Sequence, residues 1–194
     1  RGFEACVLGQ QVLGGHGYVT EWGLEQNVRD ARIAQIYEGA NGVQALDLMG
    51  RKTVRCNGEL LDILSGEMDE FVASQKDVEA MHPYLTAFEK CRGRLEEATS
   101  SVLASSGDDA NAVGAASYSY MELMGLVLYC FMWQRILSAA LADQKSGSND
   151  TDYTDALVKT GEFFLQRLLP RTESLLVEIT SGAESLMAMR AEQF

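Results

Sequence analysis

Glu38 is a carboxylate whose surroundings could serve proton chemistry. It stands between an apolar pair, Ile36-Tyr37, and two glycines, Gly39 and Gly42. A glutamate held on a tight turn among apolar and small residues can project into a closed cavity and serve as a general base. Its pKa there is a contest: desolvation raises it and a following helix N-terminus lowers it. On the residues alone, a glutamate just ahead of a helix most often supplies only favourable N-terminal charge. Val43, Leu46 and Met49, at spacings of three, predict that helix.

Other candidate chemistry is thinner. Gly14-Gly15 does not fit a dinucleotide fingerprint, because after Gly15 and Gly17 the next required glycine falls on Thr20, and no βαβ pattern surrounds it. By itself the glycine pair predicts the stop of a helix over residues 3 to 13. Glu79-Ala-Met-His82 has the Glu-x-x-His spacing of di-iron bundles, but that chemistry needs two such motifs, and Leu13 holds the corresponding place before the other histidine, His16. No metal site is expected. Met187 and Met189 are expected in the core rather than at a cofactor.

Three segments in order carry a resemblance: Gln11-Val12-Leu13-Gly14-Gly15-His16-Gly17-Tyr18, then Arg29-Asp30-Ala31-Arg32-Ile33, then Ile36-Tyr37-Glu38-Gly39. Together they resemble the C-terminal helical domain of acyl-CoA dehydrogenases. The continuation Ala45 to Lys52 is similar to the long bacterial branch with an extra C-terminal helical domain, the branch of the 3-methylmercaptopropionyl-CoA dehydrogenases. The resemblance implies FAD as cofactor, an acyl-CoA thioester as substrate and electron-transfer flavoprotein as acceptor. It implies that Glu38 removes the α-proton while a hydride leaves the β-carbon, and that the base's own backbone N–H helps hold the thioester carbonyl. Gly39 would lie beside the substrate. Ala40, Asn41 and Gly42 would contact flavin, and Gln11, Val12, Leu13, Gly14 and Gly15 would contact the adenosine diphosphate part of FAD in a neighbouring subunit. Ala40 and Gly42 depart from the pattern, since many members carry Thr and Gln there. Relatives with another task, such as an acyl-CoA oxidase, and a non-catalytic helical oligomerisation module are the alternatives.

These residues need a scaffold, and the periodicity makes it all-α: the end of a catalytic helical domain over residues 1–74 and an additional helical bundle over 75–194. Thr20 is expected to cap a second helix that packs through Trp22, Leu24 and Val28, and Thr53 to Gly58 reads as a looser segment. A further helix is expected to bury Leu60, Leu61, Ile63, Leu64, Met68, Phe71 and Val72. Three long helices should follow. One runs from 77 to 103, with Leu85, Phe88, Leu95, Ala98 and Val102 on one face and Pro83 kinking it or fixing its first turn. The second, 110 to 143, is almost wholly apolar from Leu123 to Trp133, a run too short to span a bilayer. The third, 153 to 190, carries a stripe of Leu157, Gly161, Phe164, Leu168, Leu175, Ile179, Ala183 and Leu186, kinked at Pro170, and Lys145 to Asp152 should be a polar connection.

The 194 residues carry a net charge of −12, which argues against nucleic acid and anionic membrane surfaces as partners. Residues 1 to 52 hold five basic and six acidic residues, so the excess lies in the bundle. Four widely spaced cysteines predict reduced, buried thiols and a cytoplasmic protein without membrane insertion. Residues 1 to 13 lack the basic start and apolar run of a signal peptide. The chain opens in helical pattern without a methionine and reads as a fragment, inactive alone. The bundle's acidic helices are expected to cover a face that shorter relatives use to join dimers, favouring a homodimer.

Overall fold

The computed structural model describes residues 1–37, 39–147 and 151–194. Among the described residues the chain is helical without strands, in two compact units, Arg1–Gln44 and Ala45–Phe194. Residue 74, the expected end of the catalytic portion, lies within the second unit.

In the first unit, α1 (Gly2–Val12) is followed by a short α2 (Gly15–Tyr18), a 3-10 turn (Thr20–Trp22) and α3 (Leu24–Tyr37). The chain leaves α1 through Gly14, whose φ of 56° and ψ of −137° only glycine adopts freely. Thr20 does not stand at the cap position: it is the first residue of the 3-10 turn, whose N-cap is Val19, and its carbonyl accepts the Gly23 N–H at 3.0 Å. Gly23, in the left-handed region, then starts α3 in a new direction. Leu24 and Val28 are half-buried, but Trp22 is exposed and meets the His16 ring edge-on, with centroids 5.2 Å apart.

After the turn at 39–40, α4 (Asn41–Leu46) runs into a π-helical segment, Asp47–Val54. The spacing of three expected from Val43 fails there. Val43 and Leu46 are exposed, and the buried residues are Ala45, Met49 and Thr53. The wider π turn, with Arg55 N–H donating to the Gly50 carbonyl at 3.1 Å, changes which side chains share a face. It also carries helical structure into the segment expected to be loose. That segment closes at Gly58, in the left-handed region, before α5 (Glu59–Gln75). α5 buries Leu61 and Met68, with Leu64, Phe71 and Val72 half-buried, while Leu60 and Ile63 face outward.

The second unit is built around α7 (Ala112–Ser146), which packs against α6 (His82–Ser105), α8 (Thr151–Phe163), α9 (Arg171–Thr180) and the π-helical segment. α6 buries Leu85, Phe88, Leu95, Ala98 and Val102, the expected face, together with Cys91 and Thr99. Pro83 sits in its first turn, where a missing N–H costs nothing. By length and apolar composition α7 is long enough to cross a membrane, which the apolar run alone did not suggest. In this fold it buries Leu123, Leu126, Val127, Cys130, Phe131 and Leu137 against its neighbours. Phe131 stacks on Phe88 at 5.7 Å and meets Phe71 edge-on.

α7 ends at Gly147, and Ser148, Asn149 and Asp150 of the expected polar connection lie outside the described residues. The expected third helix is not continuous. α8 passes into a π turn at Phe164–Leu168, Pro170 interrupts the hydrogen bonding, and α9 resumes as far as Thr180 before a short α10 (Glu184–Met187). Gly161, Phe164, Leu175, Ile179 and Ala183 are buried and Leu157 half-buried, but Leu168 and Leu186 are exposed. Met187 and Met189 are exposed too, a correction to their expected place in the core: the helix they were to extend ends before them.

Candidate functional site

α3 and α4 flank position 38 in the chain. Glu38 itself lies outside the described residues. Its neighbours define the turn: Gly39 has φ 100° and Ala40 φ 66°. The Ala40 N–H donates to the Ile36 carbonyl at 3.1 Å, and the Ala40 carbonyl accepts the N–H of Val43 at 3.1 Å and of Gln44 at 3.3 Å. Ala40 therefore both ends one helix and begins the next. A β-branched residue at its φ would be strained, so alanine suits this backbone better than threonine would. A Cβ at Gly42 would meet open space, whereas one at Gly39 would touch the Gln44 amide at 3.7 Å.

The second group of expected contacts, Gln11 to Gly15, straddles the end of α1 and the turn into α2. Val12 is 83% exposed, and Gln11, Leu13, Gly14 and Gly15 are exposed as well. A Cβ at Gly14 or Gly15 would meet nothing within 4 Å. The backbone there is open to close approach by another group. Gly14 N–H donates to the Gln11 carbonyl at 3.0 Å, which fixes the turn from within.

Three features of the first unit, two clefts and a glycine, went unassigned in the sequence. One cleft, of about 350 Å³, is lined by Gln10, Tyr18, Thr20, Glu25, Val28 and Arg29. Another, of about 660 Å³, holds Arg29 and Arg32 among apolar side chains, with the Arg32 guanidinium 5.9 Å from the Phe3 ring centroid. These arginines belong to a motif used only for the resemblance, and nothing in their spacing marks them as cleft-lining. The other, Gly17, is buried against α1.

The remaining candidates are accounted for locally. His82 Nε2 lies 2.7 Å from the Lys76 carbonyl, which occupies the ring without Glu79. Among the described residues no group of three or more His, Cys, Asp and Glu side chains could hold a metal ion. All four cysteines are free thiols, and only Cys91 and Cys130 are buried. The hydrogen bond with Cys91, and after it burial, push the Cys130 thiol far up, so it stays protonated.

Residues 2–52 match the family described as acyl-CoA dehydrogenase, C-terminal domain, and residues 64–190 match the one described as acetyl-CoA dehydrogenase C-terminal like. The 3-methylmercaptopropionyl-CoA dehydrogenase of Ruegeria pomeroyi is 30% identical over 96% of this chain and 32% of its own length. The broad-specificity linear acyl-CoA dehydrogenase FadE5 of Mycobacterium tuberculosis is 29% identical over 95% of this chain and 31% of its own length. Human mitochondrial short-chain specific acyl-CoA dehydrogenase is 55% identical, over 21% of this chain and 10% of its own length. The chain thus spans about a third of the length of the first two relatives. With both of its parts matched in order, the chain belongs to the acyl-CoA dehydrogenase family and comprises C-terminal helical regions of the kind found in the long bacterial branch.

Proposed function

We propose that this chain supplies the catalytic base and part of the cofactor contact surface of an FAD-dependent acyl-CoA dehydrogenase that introduces an α,β double bond into an acyl-CoA thioester. The observation that carries the reading is the two-part family match, in which the Ile36-Tyr37-Glu38-Gly39 segment falls inside the C-terminal domain region at 2–52.

In this reading Glu38 takes the α-proton, and its backbone N–H donates a hydrogen bond to the thioester carbonyl as enolate-like charge develops. FAD, when bound, accepts the hydride that leaves the β-carbon. The substrate loses one proton and one hydride and gains a C=C bond. Gly39 leaves room beside the thioester, and Ala40, Asn41 and Gly42 offer mainly backbone groups to the cofactor. Gln11 to Gly15 present an open backbone to the diphosphate part of FAD held by a neighbouring subunit, which makes the active enzyme a homo-oligomer. We place this reaction in the cytoplasm, with electrons passing on to electron-transfer flavoprotein and the bundle favouring a dimer.

The experiment is anaerobic mixing of the full-length, FAD-loaded protein with a panel of acyl-CoA thioesters. Bleaching of the oxidised flavin band, with slow reoxidation by oxygen and fast reoxidation by electron-transfer flavoprotein, is the expected result. Fast reoxidation by oxygen would identify an oxidase, and no bleaching with any thioester would overturn the reading. A mass of four chains by light scattering would contradict the dimer.

A further inference from the structure

The groove between α5 and α7 carries charges of both signs that the fold leaves unmatched. The two helices run in the same direction: Phe71 of α5 meets Phe131 of α7 edge-on at 5.7 Å, and further along both helices Ser138 donates a hydrogen bond to Gln75 at 2.7 Å. The groove, of about 450 Å³, is lined by these two phenylalanines, with Glu67 and Glu70 on the α5 side and Arg135 on the α7 side. All three charged residues are exposed, and none is in a hydrogen bond or ion pair among the described residues.

Three other arginines of this unit reach a neighbouring helix, and each is matched. Arg92 of α6 bonds Asp69 of α5, Arg94 of α6 bonds Glu173 of α9, and Arg171 of α9 bonds Glu122 of α7. Arg135 lines a groove with two carboxylates and bonds neither. Apolar side chains open to water adjoin these charges: Met132 and Ile136 on α7, and Ile63, a turn before Glu67, on α5.

Such a face is complementary to itself. A two-fold axis laid along the groove sets α5 of one copy against α7 of another at the same level, so that opposite charges meet in two symmetric sets. A two-fold axis across the groove would set α5 against α5 and α7 against α7, like charge on like. The charges therefore choose the first axis.

We infer that this face binds a second copy of the chain: the α5–α7 grooves of two copies pair about a two-fold axis parallel to the helices. Glu67 and Glu70 of each copy hold Arg135 of the other, and Ile63, Met132 and Ile136 are covered. The inference gives a surface to the homo-oligomer of the functional reading and rests on that part of it alone, not on the flavin chemistry.

The test co-expresses two forms of the full-length protein, Arg135→Glu and Glu67→Arg/Glu70→Arg, and counts the pairings by native mass spectrometry. Either form paired with itself sets like charges face to face, whereas the mixed pair restores opposite charges in both sets. The ratio of mixed to like pairs should rise roughly tenfold over the statistical value, and wild type should give a mass of two chains. Statistical pairing, with a dimeric wild type, would overturn the inference alone: the face would then be free or covered from within its own chain. A wild type of one chain would overturn it together with the homo-oligomer. Arg135→Gln with Glu67→Gln/Glu70→Gln decides the matter if a reversed form does not fold. Only the mixed pair then keeps one matched set, so a smaller excess of mixed pairs is expected, and statistical pairing again overturns the inference. Flavin reduction by wild type is a separate readout, whose failure would end the dehydrogenase reading and leave the pairing result standing.

Discussion

Substituting Gly161 by alanine should change sign with the residue opposite it. Gly161 is buried in α8, and a Cβ there would come within 2.9 Å of Leu137 Cδ2 and 3.2 Å of both Cδ1 and Cγ. Leu137 is fully buried on α7 in a cluster with Met81 and Leu85, so it has no empty space to turn into. Overpacking of this kind costs about 1–3 kcal/mol. The change also removes a glycine from a helix interior, worth about 1 kcal/mol in the other direction. Gly161→Ala alone should therefore destabilise by about 0–2 kcal/mol. Leu137→Ala alone leaves a cavity and should cost about 2–5 kcal/mol. It also removes all three atoms that the new Cβ would meet. In that background Gly161→Ala keeps only the helix gain and should stabilise by about 1 kcal/mol. The coupling between the two sites is then about 1–3 kcal/mol, well outside the few tenths expected of independent positions. Urea titration followed by circular dichroism measures it. With a slope on the order of 2 kcal/mol/M, each kcal/mol moves the midpoint by about 0.5 M. An identical effect of Gly161→Ala in both backgrounds would refute the reasoning.

Two further predictions concern the core of the second unit. Gln134 is fully buried on α7, its Oε1 without a hydrogen-bond partner and its Nε2 3.7 Å from Cys130 Sγ, so Gln134→Met, of similar length, should raise stability by about 1 kcal/mol in the same titration. Burial, partly offset by hydrogen bonds with Thr99 and Thr53, holds the Tyr120 phenol above its ordinary pKa of 10.0. The unfolded chain ionises this group first, so its contribution is intact below about pH 10 and is lost as pH rises toward the folded value. The urea midpoint should fall on going from pH 9 to 11, and fall less in Tyr120→Phe. Tyr84, raised by burial and by its bond to Glu162, accounts for part of the remaining slope.

Legibility in the sequence followed amphipathicity. α6 shows one apolar face and one charged face, and every core position expected for it is buried. α7 is apolar on nearly all sides, so its sequence announces a central helix but not which residues face which neighbour. The π-helical turns were invisible, because a shift from i+4 to i+5 hydrogen bonding leaves no mark on apolar spacing. Burial in this stretch falls on Ala45, Met49 and Thr53, four residues apart, rather than on Val43 and Leu46. Pro170 marked a real break, but π turns and short helices replaced the long kinked helix drawn through it.

The site divides the same way. Glycines 14 and 39 are legible as turn formers because their backbone angles are a local matter. Gly17 is not, since what excludes a side chain there is the carbonyl of Gln10, seven residues away and brought close only by the fold of α2 onto α1. The expected role of Glu38 came from resemblance. Residue type and spacing alone favour a helix-start charge.

That role is the central claim, and single-turnover flavin reduction tests it most directly. FAD-loaded full-length protein, wild type and Glu38→Gln, is mixed anaerobically with a saturating acyl-CoA thioester identified on wild type, and the bleaching rate is read. Removing a positioned general base should slow bleaching by about 10²–10⁴-fold while FAD and thioester still bind. A variant that bleaches as fast as wild type would contradict the account and leave Glu38 as a charge at the start of a helix.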